Sequence, residues 1–419
     1  MIKAITGTKD ILPNDINNWR RLENLIESRM KLYNYREIRT PVFEETSLFS
    51  RGIGETTDIV SKEMYTFTDR SGTSITLKPE MTASVVRAYL EHNLGKQYNF
   101  LKMYYISPMF RQERPQAGRL RQFHQFGAEA IGSNDPALDA EMIELSYSVL
   151  VNFGLKNLEI KINSLGTPES REIYKNELRS YLKSKFSDLS DDSKKRFNSN
   201  ILRIFDSKDE TDQIIMNQAP KILSYLDGQD LSHFEEVKKY LNLIGLNFSV
   251  DEKLVRGLDY YTNTTFEIIS PKIGSQSALC GGGRYNLLIE QLGGKPTPAT
   301  GFAAGMERIL LACQNENCMD SSGQKIDVYI VRIDQDKESE VFKLASQLRN
   351  NGITTEHDYL SRSVKAQMRE ANRLNSNFVI MVGGNEFKHG NVVVKNMEDG
   401  TQVETKFSDI NEIKRKLSK

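Results

Sequence analysis

Leu254-Val255-Arg256-Gly257-Leu258-Asp259-Tyr260-Tyr261-Thr262-Asn263-Thr264-Thr265-Phe266 is the stretch from which the rest of the chain is read. One arginine, one carboxylate and two phenols surround a single glycine, and apolar residues flank them. A fixed cation on a short loop neutralises a phosphate, and paired tyrosines close a small polar pocket. The run from Arg256 to Ser270 has β-type composition.

Two other segments carry arginines in comparable settings. Phe110-Arg111-Gln112-Glu113 leads through the loop Arg114–Leu120 into Arg121-Gln122-Phe123-His124-Gln125-Phe126-Gly127-Ala128-Glu129. The pattern reads as two strands joined by a loop. Arg114, Arg119 and Arg121 suit polyphosphate or RNA, and Phe123 offers a flat face to a purine. A surface hairpin with solvated arginines is the plainer alternative; the place of Arg111 between Phe110 and the polar turn weakens it. Gly301-Phe302-Ala303-Ala304-Gly305-Met306-Glu307-Arg308-Ile309-Leu310 reads as a strand entering a helix, with small residues that let a nucleotide approach the backbone. Leu279-Cys280-Gly281-Gly282-Gly283-Arg284-Tyr285 is a glycine-rich turn without the lysine and Ser/Thr of a phosphate loop.

The chain has 419 residues, too many for one typical core, so two or three domains are expected. Lys+Arg and Asp+Glu both number 56, so net charge neither demands nor excludes a nucleic acid. No apolar run is long enough to span a bilayer. The three cysteines, Cys280, Cys313 and Cys318, are too few for a disulfide framework and are expected reduced, which points to the cytoplasm. They also lack the second pair that a zinc site needs. No metal site is expected in the protein itself.

Asn17–Tyr33 has the spacing of an amphipathic helix. Strands are expected at Tyr35–Phe43, Ser74–Leu77, Phe100–Phe110, Gln122–Ile131, Leu158–Ile162 and Phe302–Ala304, with helices at Pro79–Leu94 and Met306–Cys313. Ser164–Leu246 is charged and mostly helical. No βαβ repeat is visible in this part, so an antiparallel sheet is expected. Beyond a polar stretch, strands at Asp327–Ile333, Thr354–His357 and Phe378–Val382 alternate with helices at Glu338–Asn350 and Val364–Leu374, the pattern of a small α/β domain.

Taken together, these segments resemble the histidyl-tRNA synthetases, a class II aminoacyl-tRNA synthetase family. Arg256–Tyr261 and Leu279–Tyr285 resemble its histidine-specific segments, Phe110–Glu129 its motif 2, Gly301–Leu310 its motif 3 and Tyr35–Glu44 its motif 1. The implied fold class is α+β: a class II catalytic domain with an antiparallel sheet flanked by helices, a helical insertion, and a C-terminal α/β anticodon-binding domain. The expected boundaries are 1–163 and 248–313 for the catalytic parts, 164–247 for the insertion, 314–325 for a linker and 326–419 for the last domain.

The resemblance implies ATP-driven formation of histidyl-adenylate, then transfer of histidine to tRNA(His). Arg111 and Arg256 would hold the α-phosphate as the catalytic cations, while Arg119 and Arg308 serve the outer phosphates. Glu113 and Phe123 would grip adenine. Glu80, Thr82 and Gln125 would receive the histidine ammonium and Glu129 and Tyr261 the imidazole, with Met81 and Tyr260 also in the histidine site. Glu80 alone would otherwise be read as charge complementing a helix start. Met81, Leu287 and Ala303 stand where many members have glycine. Magnesium would accompany ATP. Gln116, Arg362, Lys365 and Arg369, with Arg373, would meet tRNA, the C-terminal four from one helix face. Trp19–Glu44 would build a homodimer. Two alternatives are a regulatory paralogue that binds histidine without charging tRNA, and another class II synthetase. The retained Arg256 segment and C-terminal domain disfavour the first, and Arg256–Tyr261 with Gly281–Tyr285 disfavours the second.

Overall fold

The computed structural model describes residues 2–54, 57–319 and 325–417. The chain divides into two compact units, Met1–Met319 and Asp320–Lys419.

Among the described residues of the first unit, eight strands form one sheet in the order Arg36–Glu37, Leu101–Phe110, Gln122–Ile131, Ala299–Gly305, Ala278–Arg284, Thr262–Ile269, Glu159–Ser164, Ser249–Val250. Its six central strands pair antiparallel, and only the outer pairs are parallel. Successive side chains of a strand face opposite sides. Tyr104 and Phe126 thus enter one core with Trp19, Leu22 and Ile143 from the helices Ile16–Leu32 and Pro136–Phe153. Met103, Tyr105 and Ile131 enter a second core with Leu178, Ile204 and Tyr260. That second core joins the sheet to the helical segment between Glu159–Ser164 and Ser249–Val250, which contains the helices Pro168–Lys183, Asp191–Ser199, Glu210–Asn217 and Gly228–Leu243.

Several sequence expectations shift. Tyr35–Phe43 is not one strand: pairing is confined to Arg36–Glu37 and Phe43–Glu45, on either side of Pro41, which has no N–H to donate. The helix expected from Pro79 begins at Thr82 and ends at Glu91. Arg256–Tyr261 is irregular, and the strand starts at Thr262. The Asp259 N–H donates to the Ile53 carbonyl at 3.1 Å rather than to a neighbouring strand. Cys313 and Cys318 are disulfide-bonded, contrary to the expectation of reduced thiols. The helix Met306–Asn315 ends in a turn with Asn317 left-handed (φ 57°), which returns Cys318 to within 5.0 Å, Cα to Cα, of Cys313. Of the expected linker, Gln314 and Asn315 complete that helix, and 320–324 lie outside the described residues.

In the second unit the strands Thr355–His357, Val328–Arg332 and Phe378–Val382 run parallel, and Asn391–Asn396 and Gln402–Lys406 add an antiparallel hairpin. The sequence reading missed that hairpin. Its turn is held by Asp399, whose Oδ1 accepts from Thr401 N at 2.8 Å, and by left-handed Gly400 (φ 76°). Among the described residues, no helix is long and apolar enough to cross a membrane.

Candidate active site

A cavity of about 630 Å³ opens on the face of the sheet that carries the second core. The hairpin Leu101–Phe110/Gln122–Ile131 brings Tyr105, Phe123 and Gln125 to it, with Glu129 buried further along the same strand. Its register pairs Ser107 with Gln125 and Met103 with Glu129, and the turn begins beyond Phe110–Gln122. Arg111 N donates to the Arg121 carbonyl at 2.9 Å and Arg111 Nε to the Pro79 carbonyl at 2.9 Å. Its guanidinium lies 5.2 Å from the Phe123 ring centroid and 3.8 Å from Glu113. Glu113 also pairs with Arg119 at 3.2 Å.

The turn is closed from below by Arg308. Its Nε donates to the Gly118 carbonyl and its Nη1 to the Ala278 carbonyl, each at 2.8 Å. Burial and the nearby cations Arg119 and Arg111 lower the Arg308 pKa, so this corner is rich in positive charge before any anion enters.

Arg256 enters from the irregular loop. It is ion-paired to Glu267 on Thr262–Ile269 and lies 5.7 Å from the Tyr261 ring centroid. Its Nε is buried without a hydrogen-bond partner. Burial opposes its charge, but Glu267 together with Tyr261, Cys280 and Tyr260 more than offsets this and the pKa is raised. Arg111, Arg256 and Arg308 thus converge on one cavity from three segments far apart in sequence.

The other end of the cavity is carboxylate and phenol. Glu80 accepts from Thr82 N and Ala83 N, each at 2.8 Å, and so caps the helix Thr82–Glu91; it also accepts from the Tyr260 hydroxyl at 3.4 Å. Glu80 thus complements the helix start, and it also lines the cavity. Glu129 is fully buried and accepts from the Thr82 hydroxyl at 2.8 Å and the Tyr285 hydroxyl at 2.5 Å. Burial is the main cause that pushes its pKa up to about 8. Burial also raises that of Glu80. Tyr260 packs on Tyr261 at 4.7 Å and edge-on to Tyr285 at 5.8 Å. Gln125 Oε1 is buried with no protein partner and lines the cavity. Opposite Glu129 stands Gly301, where a Cβ would overlap Glu129 Oε2.

Met81 lines the same cavity with ordinary right-handed backbone (φ −109°, ψ −25°), so glycine is not required there. Leu287 is likewise unstrained (φ −98°, ψ −18°). Ala303 lies in the strand Ala299–Gly305 and lines the cavity.

Sequence reasoning missed Glu267, whose partner lies eleven residues upstream across an irregular loop. It also did not give Tyr285 its own role, although the glycine-rich turn had been singled out. Glu307 was missed as well: it accepts from His124 N at 2.9 Å and pairs with His124 Nδ1 at 2.9 Å, fixing the hairpin to the helix Met306–Asn315. Four charged or polar residues of the helical segment, Arg196, Arg203, Asp206 and Lys208, line the cavity and were not anticipated.

Gln116 sits at the tip of the 111–121 turn, where Gln116 N donates to the Arg119 carbonyl at 3.1 Å. In the second unit the expected cationic helix face changes. Arg362 precedes the helix Val364–Arg373, whose N-cap is Ser363. It is committed to Asp358 at 2.5 Å, Glu370 at 3.4 Å and the Tyr329 hydroxyl at 3.5 Å. Arg373 is ion-paired with Glu370. Lys365 and Arg369 are one helical turn apart and exposed.

Residues 7–309 match the family described as histidyl-tRNA synthetase, and residues 327–417 match an anticodon binding domain. A histidine–tRNA ligase of Halothermothrix orenii is 51% identical over 416 residues, 99% of each chain. One of Desulforamulus reducens is 49% identical over 404 residues, 96% of each. The crystal structure of apo Staphylococcus aureus histidyl-tRNA synthetase superposes with a TM-score of 0.83 at 38% identity, covering all of both chains. A Bacillus halodurans protein described as an ATP phosphoribosyltransferase regulatory subunit/histidyl-tRNA synthetase reaches 0.66 at 21% identity, over 92% of this chain and 99% of the other, which shares the fold alone. With both family regions matched and near-complete coverage by relatives about half identical, the chain belongs to the histidyl-tRNA synthetase family.

Proposed function

We propose that this chain attaches L-histidine to tRNA(His) through a histidyl-adenylate, with ATP as the energy source. The observation that carries the reading is the convergence of Arg111, Arg256 and Arg308 on a cavity whose far end is lined by Glu80, Thr82, Gln125, Tyr260 and Tyr261, with Glu129 buried behind Thr82. Three cations suit a polyphosphate, and a buried carboxylate–phenol cluster suits an ammonium and an imidazole.

Histidine's carboxylate oxygen attacks the α-phosphorus in line. The bond to the bridging oxygen breaks and diphosphate leaves. Arg111 and Arg256 neutralise charge developing on the α-phosphate; Arg119 and Arg308 meet the outer phosphates. Glu113 and Phe123 hold adenine. Gln125 Oε1, buried without a protein partner, accepts from the ammonium together with the Glu80–Thr82 segment. A ribose hydroxyl of the terminal adenosine then attacks the acyl carbonyl, and AMP leaves. Both nucleophiles belong to the substrates, so the protein contributes position and electrostatics. Magnesium travels with ATP, whose phosphates supply most of its ligands. Glu63, whose pKa is raised by burial and then by the neighbouring Glu113, stands at the cavity wall and would meet it there.

Gln116 meets the acceptor end of the tRNA, and Lys365 and Arg369 meet phosphates, with Arg362 bracing the loop ahead of their helix. The active form is a cytoplasmic homodimer built through the motif 1 region. Phe43, Tyr65, Phe67, Ile75 and Leu77 share one face of the small sheet Phe43–Glu45/Ser74–Leu77/Tyr65–Thr68, with Phe43 54% and Phe67 47% exposed. Histidine-dependent diphosphate–ATP exchange, measured with each of the twenty amino acids, tests the central reading. Exchange with histidine alone supports it; no exchange with any would leave a histidine-binding regulatory role.

A further inference from the structure

The loop that carries Arg256 belongs to no helix or strand, so its shape is set by what touches it. Three contacts come from the helical segment inserted between strands of the sheet. Arg171 Nη2 donates to the Tyr261 carbonyl at 2.5 Å. Asn200 Nδ2 donates to Asp259 Oδ1 at 2.9 Å. Arg203 lies against Gly257: a Cβ there would be 2.9 Å from Arg203 Nη1 and 3.8 Å from its Cζ, and apart from chain neighbours no other described residue comes within 4 Å of it. Arg203 is itself anchored on both sides, to Asp58 Oδ2 at 3.2 Å and Asp206 Oδ2 at 3.0 Å. Asp58 precedes a single π-helical turn, Ile59–Glu63, which also lines the cavity.

We propose that Arg203 is a positioning residue for adenylate formation: by bracing Gly257 against the Asp58 turn, it sets the direction from which Arg256 meets the α-phosphate. The inference rests on the adenylate-forming reading above. Glu267 fixes the tip of the Arg256 side chain, and Arg203 fixes the backbone from which that side chain springs. With both carboxylates holding its guanidinium and Gly257 beside it, Arg203 acts through Arg256. The catalytic loop is thereby keyed to the helical segment, and loosening that segment loosens the catalytic cation. Asn200 and Arg171 hold the next residues of the same loop, so Gly257, Asp259 and Tyr261 are gripped at alternate positions from one side.

The test is a double-mutant cycle on the full chain, read by histidine-dependent diphosphate–ATP exchange with Arg203→Ala, Arg256→Lys and their combination. Arg203→Ala is expected to lower kcat about 100-fold, as a displacement of roughly 1 Å does, with the KM for histidine little changed. Arg203→Lys should recover part of the loss. In the Arg256→Lys background, Arg203→Ala should add no further loss, because the brace then has nothing left to position. Should Arg203→Ala fail to fold by thermal melting, Asp58→Asn, which loosens the same brace from its other side, is expected to give the same pattern. Wild-type kcat in the single variants, or losses that multiply in the double, would overturn the inference. Failure of the underlying reading looks different: the unmutated chain would then show no histidine-dependent exchange.

Discussion

Gly281 stands against the guanidinium of Arg256, and a Cβ at that position would overlap Nη2. Glycine is therefore a condition for Arg256 to lie where Glu267 holds it. Two predictions follow from this pair alone. Arg256→Ala should cut adenylate formation by orders of magnitude while histidine still binds, since losing a preorganised donor costs about 2.7–4 kcal/mol. Gly281→Ala should also slow exchange, although it removes no charge. Pre-steady-state exchange with equilibrium binding of histidine measures both; unaltered rates in Arg256→Ala would remove the mechanism.

Glu129 and Gly301 form the second dependent pair. A site that recognises imidazole by hydrogen bonds discriminates by leaving its own polar groups unpaired when the ligand is wrong. Glu129→Ala should weaken histidine far more than ATP. Gly301→Ala should displace the Glu129 carboxylate and give the same asymmetry, because its Cβ would occupy the position of Oε2. Calorimetric affinities for both ligands decide this; equal losses would assign Glu129 a structural role.

The raised pKa of Glu129 makes histidine binding proton-linked. With a folded value of about 8 against an ordinary 4.5, the empty site keeps the proton that the unfolded chain has lost. This contribution to stability is fully present below pH 4.5, declines as pH rises towards 8, and is gone above it. Glu129→Gln should flatten that decline in thermal melts. The imidazole N–H, donating to Glu129, and the ammonium, docking beside Glu80, favour the charged carboxylates, so binding at pH 7 should release a proton. Titrations at pH 7 in buffers of different ionisation enthalpy should therefore differ in heat, and Glu129→Gln should reduce that difference.

What was legible in the sequence follows the range of the interactions. Gln122–Ile131 alternates well enough to be read as a strand, and its strand has those bounds. The helix Glu338–Asn350 was likewise read from its spacing. The charged loop Arg256–Tyr261 was identified as decisive, yet its irregular shape was not, because Gly257, Asp259 and Tyr261 are held by Arg203, Asn200 and Arg171 from a distant segment. Glu267 escaped for the same reason. Arg362, read as one of a helix stripe, instead leads the helix and is tied to Asp358, Glu370 and Tyr329. A charge four residues from another suggests a shared face, but an N-cap serine at 363 breaks the count.

The apolar face around Phe43 and Phe67 makes assembly testable at single residues. Phe67→Glu places a charge on that face and should dissociate the proposed homodimer without unfolding the chain, since Phe67 is 47% exposed. Light scattering across a dilution series reads the mass, and exchange activity should fall with it. A variant that remains dimeric would move the interface elsewhere, and a fully active monomer of the unmutated chain would remove the dimer from the reading.

The last prediction separates activation from transfer. Arg111, Arg256 and Arg308, with the whole histidine end of the cavity, lie within Met1–Met319, which forms a compact unit by itself. Ending the chain after Met319 keeps the helix Met306–Asn315 and the Cys313–Cys318 disulfide intact. Histidine-dependent diphosphate exchange should therefore persist. Charging of tRNA should fall sharply, because the truncated chain loses Lys365, Arg369 and the effective concentration that a second RNA contact provides. The tRNA affinity that remains should be steeply salt-dependent, since what is left of the contact is arginine on phosphate near Gln116. Aminoacylation by the truncated chain at the rate of the full one would show that residues 325–417 make no contribution to tRNA recognition.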